Sequence, residues 1–321
     1  MVRVLVRAVA SVVASALMGS IIVFLLLRLL KGDVATVILG QTATREALEE
    51  LRAEMGLDAS LVEQYLQWIG GVLQGDMGTS YAAEFDIAHE IWVRIPLTFT
   101  LAFSSLILSV IVALVIGTFS AIHAKNWRGT TVDILSQVGI AVPSFWLGLL
   151  MATLFAVHLG WLPAGGYVPL SEDFVRGVKS LTMPVLALAI PLSAVLVRYV
   201  RSGMLEVLDE DFIRTAQAKG LTLRRAAWRH GIRNASIPLV TVTILQLGQL
   251  LAGAVVIENV FTLPGLGRML VVAVGGREPL SVQSLALVLM LMILTLNFLM
   301  DIAYGLLDPR IRGRGQTVLH A

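Results

Sequence analysis

The sequence predicts an all-α, polytopic membrane protein with six transmembrane helices and both termini in the cytoplasm. Three observations lead there. Hydrophobic residues make up 57% of the 321, with a mean hydropathy of +0.83. Charged residues are only 14%, against roughly 25% in a typical soluble domain, which is more apolar surface than one soluble core could enclose. Finally, long apolar runs alternate with connections of unequal basic content.

Six runs are long enough to cross about 30 Å of hydrocarbon at 1.5 Å per residue. They cover roughly 8–30, 97–121, 134–159, 181–200, 237–257 and 282–306. The first follows Arg3 and Arg7 and reads as a retained span, because it is too long for a signal-peptide core and has no cleavage site after it. With the N-terminus inside, fifteen Lys and Arg fall in inside segments and eight in outside ones. The positive-inside rule therefore selects this orientation. The net charge of +2 adds little, and the lack of cysteine excludes disulfides. The chain divides into a tail with the first span (1–30), an extracytoplasmic helical loop (31–96), a five-helix core (97–310) with a cytoplasmic loop at about 200–234, and a cytoplasmic tail (311–321).

The first outside loop is too long for a mere connection. "TREALEELRAEMG" offers Thr44 as N-cap and Gly56 as stop. "ASLVEQYLQWIGGVLQG" sets Leu61, Tyr65, Trp68, Ile69 and Leu73 on one helical face. The loop reads either as a solvated cap or as a docking surface for an extracytoplasmic partner. The chain has no internal repeat, which points to a second chain supplying the other half of any pathway.

The polar stretch 200–234 predicts two short helices around a glycine turn. Asp209, Glu210 and Asp211 crowd the start of the first, where carboxylates cap free N–H groups and meet the positive dipole end. Lys219 and Gly220 close it. Phe212 and Ala216 are four apart and share a face, with Ile213 beside them. Thr222 caps a second helix, 223–234, whose apolar face is Ala226, Ala227, Trp228 and Ile232 and whose arginines are 224, 225, 229 and 233. The residues alone leave three readings: a helix pair on anionic lipid, a solvated linker, or a docking element whose small residues permit close approach.

"FIRTAQAKGLTLRRAAWRHGIRNASIPLVT" resembles the cytoplasmic coupling segment of ABC importer permeases, the EAA loop. More narrowly, it resembles the dipeptide/oligopeptide (peptide/nickel) family, first of its two paired membrane subunits. Arg214, Thr215 and Ala216 stand at the Glu-Ala-Ala positions, and Gly220 at the glycine. Arg214 replaces the glutamate, and Ile237-Pro238 comes later than the general spacing; both departures resemble the peptide branch. "GLDASLVEQYLQWIGGVLQGDMGTSY", "VPSFWLGLLMATLFAVHLGWLPAGGY", "IENVFTLPGLGRMLVVAV" and "LLDPRIR" also resemble the family pattern, in order along the chain.

The resemblance implies a type I ABC importer permease fold. It implies a heterodimer with a second homologous permease, two cytoplasmic ATPases that bind ATP and Mg, an extracytoplasmic binding protein, and a di- or oligopeptide substrate in a lipid membrane. Asp211, Phe212, Arg214, Thr215, Ala216, Lys219 and Gly220 would form the ATPase-coupling helix. The same architecture would serve nickel chelates, glutathione or another small solute. A stand-alone secondary transporter is the alternative from another class.

The chain itself carries no G-x-x-x-x-G-K-[ST], no G-x-S-x-G, no H-E-x-x-H and no Cys/His cluster. A non-catalytic chain without its own cofactor or metal, and without nucleic-acid binding, is expected. Gln137, Gln246, Gln249, Glu258 and Asn259 are candidates to line a pathway or to glue helices together. Pro264, Gly265 and Gly267, in "FTLPGLGRM", read as a re-entrant gate or a tight outer turn. Asp301 reads as an ion-pair partner of a neighbouring helix, and Asp308-Pro309-Arg310 as a helix end.

Overall fold

The computed structural model describes residues 2–29, 36, 43–54, 56–80 and 84–307. Asp308, Pro309, Arg310 and the tail 311–321 lie outside the described residues, as do the side chains of Arg233, Pro238 and Asp301. The helices are α1 (Val2–Leu29), α2 (Arg45–Glu54), α3 (Leu61–Gln74), α4 (Ile87–Ile122), α5 (Trp127–Ala141), α6 (Ser144–Met151), α7 (Phe174–Leu208), α8 (Asp211–Ala218), α9 (Leu223–Ala226), α10 (Ile232–Val260), α11 (Leu266–Gly275) and α12 (Pro279–Leu307). Two π-helical stretches extend this set, Ala152–His158 after α6 and Ala227–Gly231 between α9 and α10. Among the described residues there is no strand, only an isolated bridge between Thr79 and Asp86.

Five helices are long and apolar enough to span a membrane, and a sixth span exists if α5 and α6 count as one. That pair is bent by 98°. The span expected over 134–159 is built as this bent pair, two short helices joined at Pro143. Pro143 restricts the residue before it to extended backbone, and Val142 sits at φ −84°, ψ 119°. Hydropathy averaged across the break does not register it.

α4 begins ten residues before the expected span. The Asp86 carboxylate accepts the N–H groups of Ala88 and His89 at 2.9 and 3.3 Å, a cap that starts the helix ahead of its apolar run. α7 is the most enclosed span. The Ser105 and Ser109 hydroxyls of α4 reach Val185 O and Ala189 O of α7 at 3.4 and 3.1 Å while also bonding within their own helix. Polar side chains are thereby satisfied in an apolar setting. Gly117 brings the two helices close: a Cβ there would stand 2.7 Å from Val200 Cβ.

The chain forms two compact units. Among the described residues, one comprises Phe99–Leu263 with 296–307, and the other Val2–Thr98 with Pro264–Thr295. The core of the second unit joins Ile87 and Ile91 of α4 to Leu266, Met269 and Ala273 of α11 and to Leu285 and Val288 of α12. α2 and α3 start and stop where their signals place them. Ala47 N donates to Thr44 Oγ1 at 3.3 Å, and Gly56 has φ +62°. Ser60 and Glu63 form a capping box, and Gly75 ends α3 in the left-handed conformation. The apolar face of α3 is unevenly covered: Leu61 and Leu73 are exposed while Tyr65, Trp68, Ile69 and Val72 are partly buried.

Candidate functional site

The structure builds the polar stretch as α8 suspended between two spans, α7 and α10. Glu210 occupies the N-cap position of α8 without a side-chain capping bond. The expected carboxylate cap is therefore corrected, and the acids meet the positive end of the helix dipole without a capping bond at Glu210. Asp211 instead pairs with Arg214 at 3.4 Å, both largely exposed, and Thr215 Oγ1 bonds back to Asp211 O at 2.9 Å. Such an exposed pair contributes little stability.

The C-terminus of α8 closes as its residues predict. Gly220 has φ +90°, its N–H donates to Gln217 O at 2.9 Å, and Leu221 N donates to Ala216 O at 3.2 Å. These two bonds make a Schellman motif, which a left-handed glycine permits. Thr222 Oγ1 then accepts from Arg225 N at 3.3 Å and starts α9.

Phe212 and Ala216 stand one turn apart on α8, but burial separates them. Ile213 and Ala216 are buried with Ala226, packed by Val207 and Leu208 of α7 and by Leu221 and Leu223. Phe212 points outward and is 40% exposed. The small residue thus fits α8 against its own neighbours, and an aromatic ring is presented outward beside Asp211, Arg214, Thr215 and Lys219. The second short helix is corrected too. α9 passes through the π-helical stretch into α10 without a break, so it is the end of a span. Ala226 and Ala227 are buried as expected, but Trp228 is exposed with Arg224, Arg225 and Arg229. Gly231 lets this stretch close on α7, since a Cβ there would meet Met204 S at 2.9 Å.

The other candidate residues are spread along the helices. Gln137 of α5 and Gln249 of α10 are exposed and Gln246 is partly buried. Glu258 is fully buried, and Asn259 bonds Val255 O of its own helix at 2.8 Å. These belong to one unit, whereas Pro264, Gly265 and Gly267 belong to the other. Pro264 is exposed and both glycines are buried. They open α11, whose ten residues reach about 15 Å, half a bilayer. Leu266 N there donates to Thr98 Oγ1 at 3.0 Å. A shallow, open depression of about 320 Å³ at the α5–α6 bend is lined by Ala141, Val142, Pro143, Phe145 and Trp146. Among the described residues no group of three or more His, Asp or Glu is placed to hold a metal ion.

Residues 113–313 match the family described as the inner membrane component of binding-protein-dependent transport systems. Residues 1–102 match the N-terminal part of the same component. The chain belongs to this family. It is a permease component of an ABC importer and a multi-pass protein of the bacterial cell membrane, which bears out the resemblance read from its coupling segment. A Brucella abortus (strain 2308) protein with the name of a peptide transport system permease is 38% identical over 97% of this chain and 99% of its own length. The di/tripeptide transport system permease DppB of Pseudomonas aeruginosa is 36% identical over 91% and 94%. The glutathione transport system permease GsiC of Pectobacterium atrosepticum is 35% identical over 97% and 99%.

Proposed function

We propose that this permease forms a translocation path for di- or oligopeptides together with a second, homologous permease. Two cytoplasmic ATPases bind ATP and Mg and supply the driving force. An extracytoplasmic binding protein delivers the peptide. The chain itself performs no chemistry, and both its termini are cytoplasmic. Arg214 to Gly220 is its coupling helix, with Asp211, Phe212, Arg214, Thr215 and Lys219 toward the ATPase. Ala216 and Gly220 set the position and end of that helix.

The observation that carries this reading is the anchoring of α8. Its eight residues are fixed at one end to α7 and at the other, through Gly220 and Thr222, to α10. Its buried side is locked by Ile213 and Ala216, while Phe212 is left for a partner. A short helix tied to two spans transmits a rigid displacement of a docked subunit. Gln137, Gln246, Gln249, Glu258 and Asn259 are the pathway candidates. Pro264, Gly265 and Gly267 are the gating candidates, at the head of a helix long enough for half a bilayer.

The substrate class rests on the relatives' names. Glutathione, itself a small peptide, is a second reading, because one relative of nearly full coverage is a glutathione permease. Purified complex with its binding protein, screened with di-, tri- and longer peptides and with glutathione, tests both. Stimulated ATPase activity by one peptide class supports the first reading, and stimulation by glutathione alone selects the second. Transport by this chain in liposomes without ATPases would replace both with a stand-alone transporter.

A further inference from the structure

α3 was expected in a connection between spans, yet it packs on the membrane-spanning part of α1. The apolar span of α1 is Val9–Arg28. At 1.5 Å per residue, Phe24 lies about 6 Å and Ser20 about 12 Å along the helix from Arg28, which ends that apolar span. On this span these are the two enclosed side chains, and α3 reaches both. Phe24 meets Tyr65 edge-on at 5.5 Å and stacks with Trp68 at 6.3 Å. The Tyr65 hydroxyl is 2.8 Å from Ser20 Oγ, which donates to Leu17 O at 2.8 Å. The chain Tyr65 O–H to Ser20 O–H to Leu17 carbonyl satisfies each hydroxyl proton internally, as apolar surroundings require. The Arg28 guanidinium lies 5.2 Å from the Phe24 ring, where a snorkelling cation at the edge belongs.

The rest of α3 completes the pattern. Val62, Leu66 and Leu73 recur at helical spacing on one stripe and are 68%, 59% and 82% exposed. Glu63, Gln67 and Gln74 occupy a different side of the helix. The apolar arc of α3 is therefore wider than α1 covers, and α1 itself leaves Ile21, Ile22, Leu25 and Leu26 bare on its span.

The structure assigns α3 to the membrane: it is an interfacial helix whose Val62–Leu66–Leu73 stripe lies on lipid acyl chains beside α1, with Glu63, Gln67 and Gln74 toward the headgroups. The contacts with α1 lie within about two turns of the Arg28 end of its span, a scale comparable to the roughly 5–10 Å to which interfacial helices bury an apolar face. In the proposed orientation this is the extracytoplasmic leaflet. The assignment rests on membership of a membrane family and on the α1–α3 contacts, not on what is transported. It replaces a solvated cap with an anchor that braces the first span.

The lack of cysteine in the chain makes the test direct. Leu66→Cys, Leu73→Cys and Gln67→Cys are each labelled with an environment-sensitive fluorophore, in assembled complex whose other subunits are cysteine-free, in lipid nanodiscs. Acyl-chain nitroxide lipids should quench the labels at positions 66 and 73 at least twofold more than aqueous iodide does. The label at position 67 should show the reverse order. Equal iodide quenching at all three positions would overturn the assignment in favour of a solvated cap. Labels at 66 and 73 shielded from both quenchers in the complex, but open to them once the binding protein or second permease is removed, would overturn it in favour of a protein partner. Two independent stripe positions guard against one substitution disturbing the helix.

Discussion

Leu221 donates its backbone N–H to Ala216 O across Gly220, which stands at φ +90° with no atom within 4 Å of where a Cβ would be. The glycine is therefore required by its backbone, not by crowding. A left-handed conformation costs an L-residue about 1–2 kcal/mol, less for Asn. Gly220→Ala should weaken the closing turn of α8, and Gly220→Val more so. Gly220→Asn should retain most of the function. Peptide uptake and ATPase co-purification should fall in the order Asn, Ala, Val, with the amount of permease in the membrane little changed.

The two sides of α8 predict opposite kinds of defect. Ile213 is fully buried, so Ile213→Ala should cost about 2–4 kcal/mol of packing and lower the melting temperature of the complex. Phe212 is outward, so Phe212→Ala should leave stability within about 0.5 kcal/mol. If α8 is the docking element, that same change should weaken ATPase association several-fold. Melting curves and ATPase titration on both variants separate the roles.

Close packing of α4 on α7 gives a third expectation. A Cβ on Gly117 would meet Val200 Cβ at 2.7 Å and the Val197 carbonyl oxygen at 3.0 Å. The oxygen belongs to backbone and cannot rotate away. Gly117→Ala should cost about 1–3 kcal/mol through overpacking. Gly248→Ala, with nothing within 4 Å, should leave stability unchanged or slightly higher. Thermal unfolding of the purified complex, read for both, checks the contrast.

The parts of this architecture that are legible in the sequence are those written locally. Gly220 and Thr222 mark a stop and a start whose partners lie within five residues, and the structure places both as read. Long apolar runs likewise announce their own spans. What is hidden depends on a neighbour or on averaging. Whether Phe212 or Ile213 turns inward is decided by Val207, Leu208 and Ala226, which belong to other elements. The same holds on α3, where Phe24 of α1 selects Tyr65 and Trp68 over Leu61 and Leu73. The bend at Pro143 disappears in a hydropathy window, although the proline itself is a visible breaker. The early start of α4 is carried by one capping side chain, Asp86, ahead of any apolar run. Helix-start chemistry would have found it where span length could not.

Glu278 supports the last expectation. Its carboxylate accepts from Ser80 at 2.8 Å and from Ser281 at 2.6 Å, and both serines are buried. Ser80 lies in the loop ahead of α4, and Ser281 in the first turn of α12. One side chain therefore fastens a loop to a helix nearly two hundred residues away in sequence. Gly78 fits the same seam, since a Cβ there would stand 2.6 Å from Leu280 Cδ2. Glu278→Ala removes the acceptor that joins two buried hydroxyls, at a cost of about 1–3 kcal/mol. Glu278→Gln keeps one carbonyl acceptor and should lose less. Hydrogen exchange in residues 76–80 and 84–86 should rise strongly in the alanine variant and modestly in the glutamine variant. Exchange in α7, which belongs to the other unit, should not change. A uniform rise across both units would mean that Glu278 supports the whole chain, not one seam.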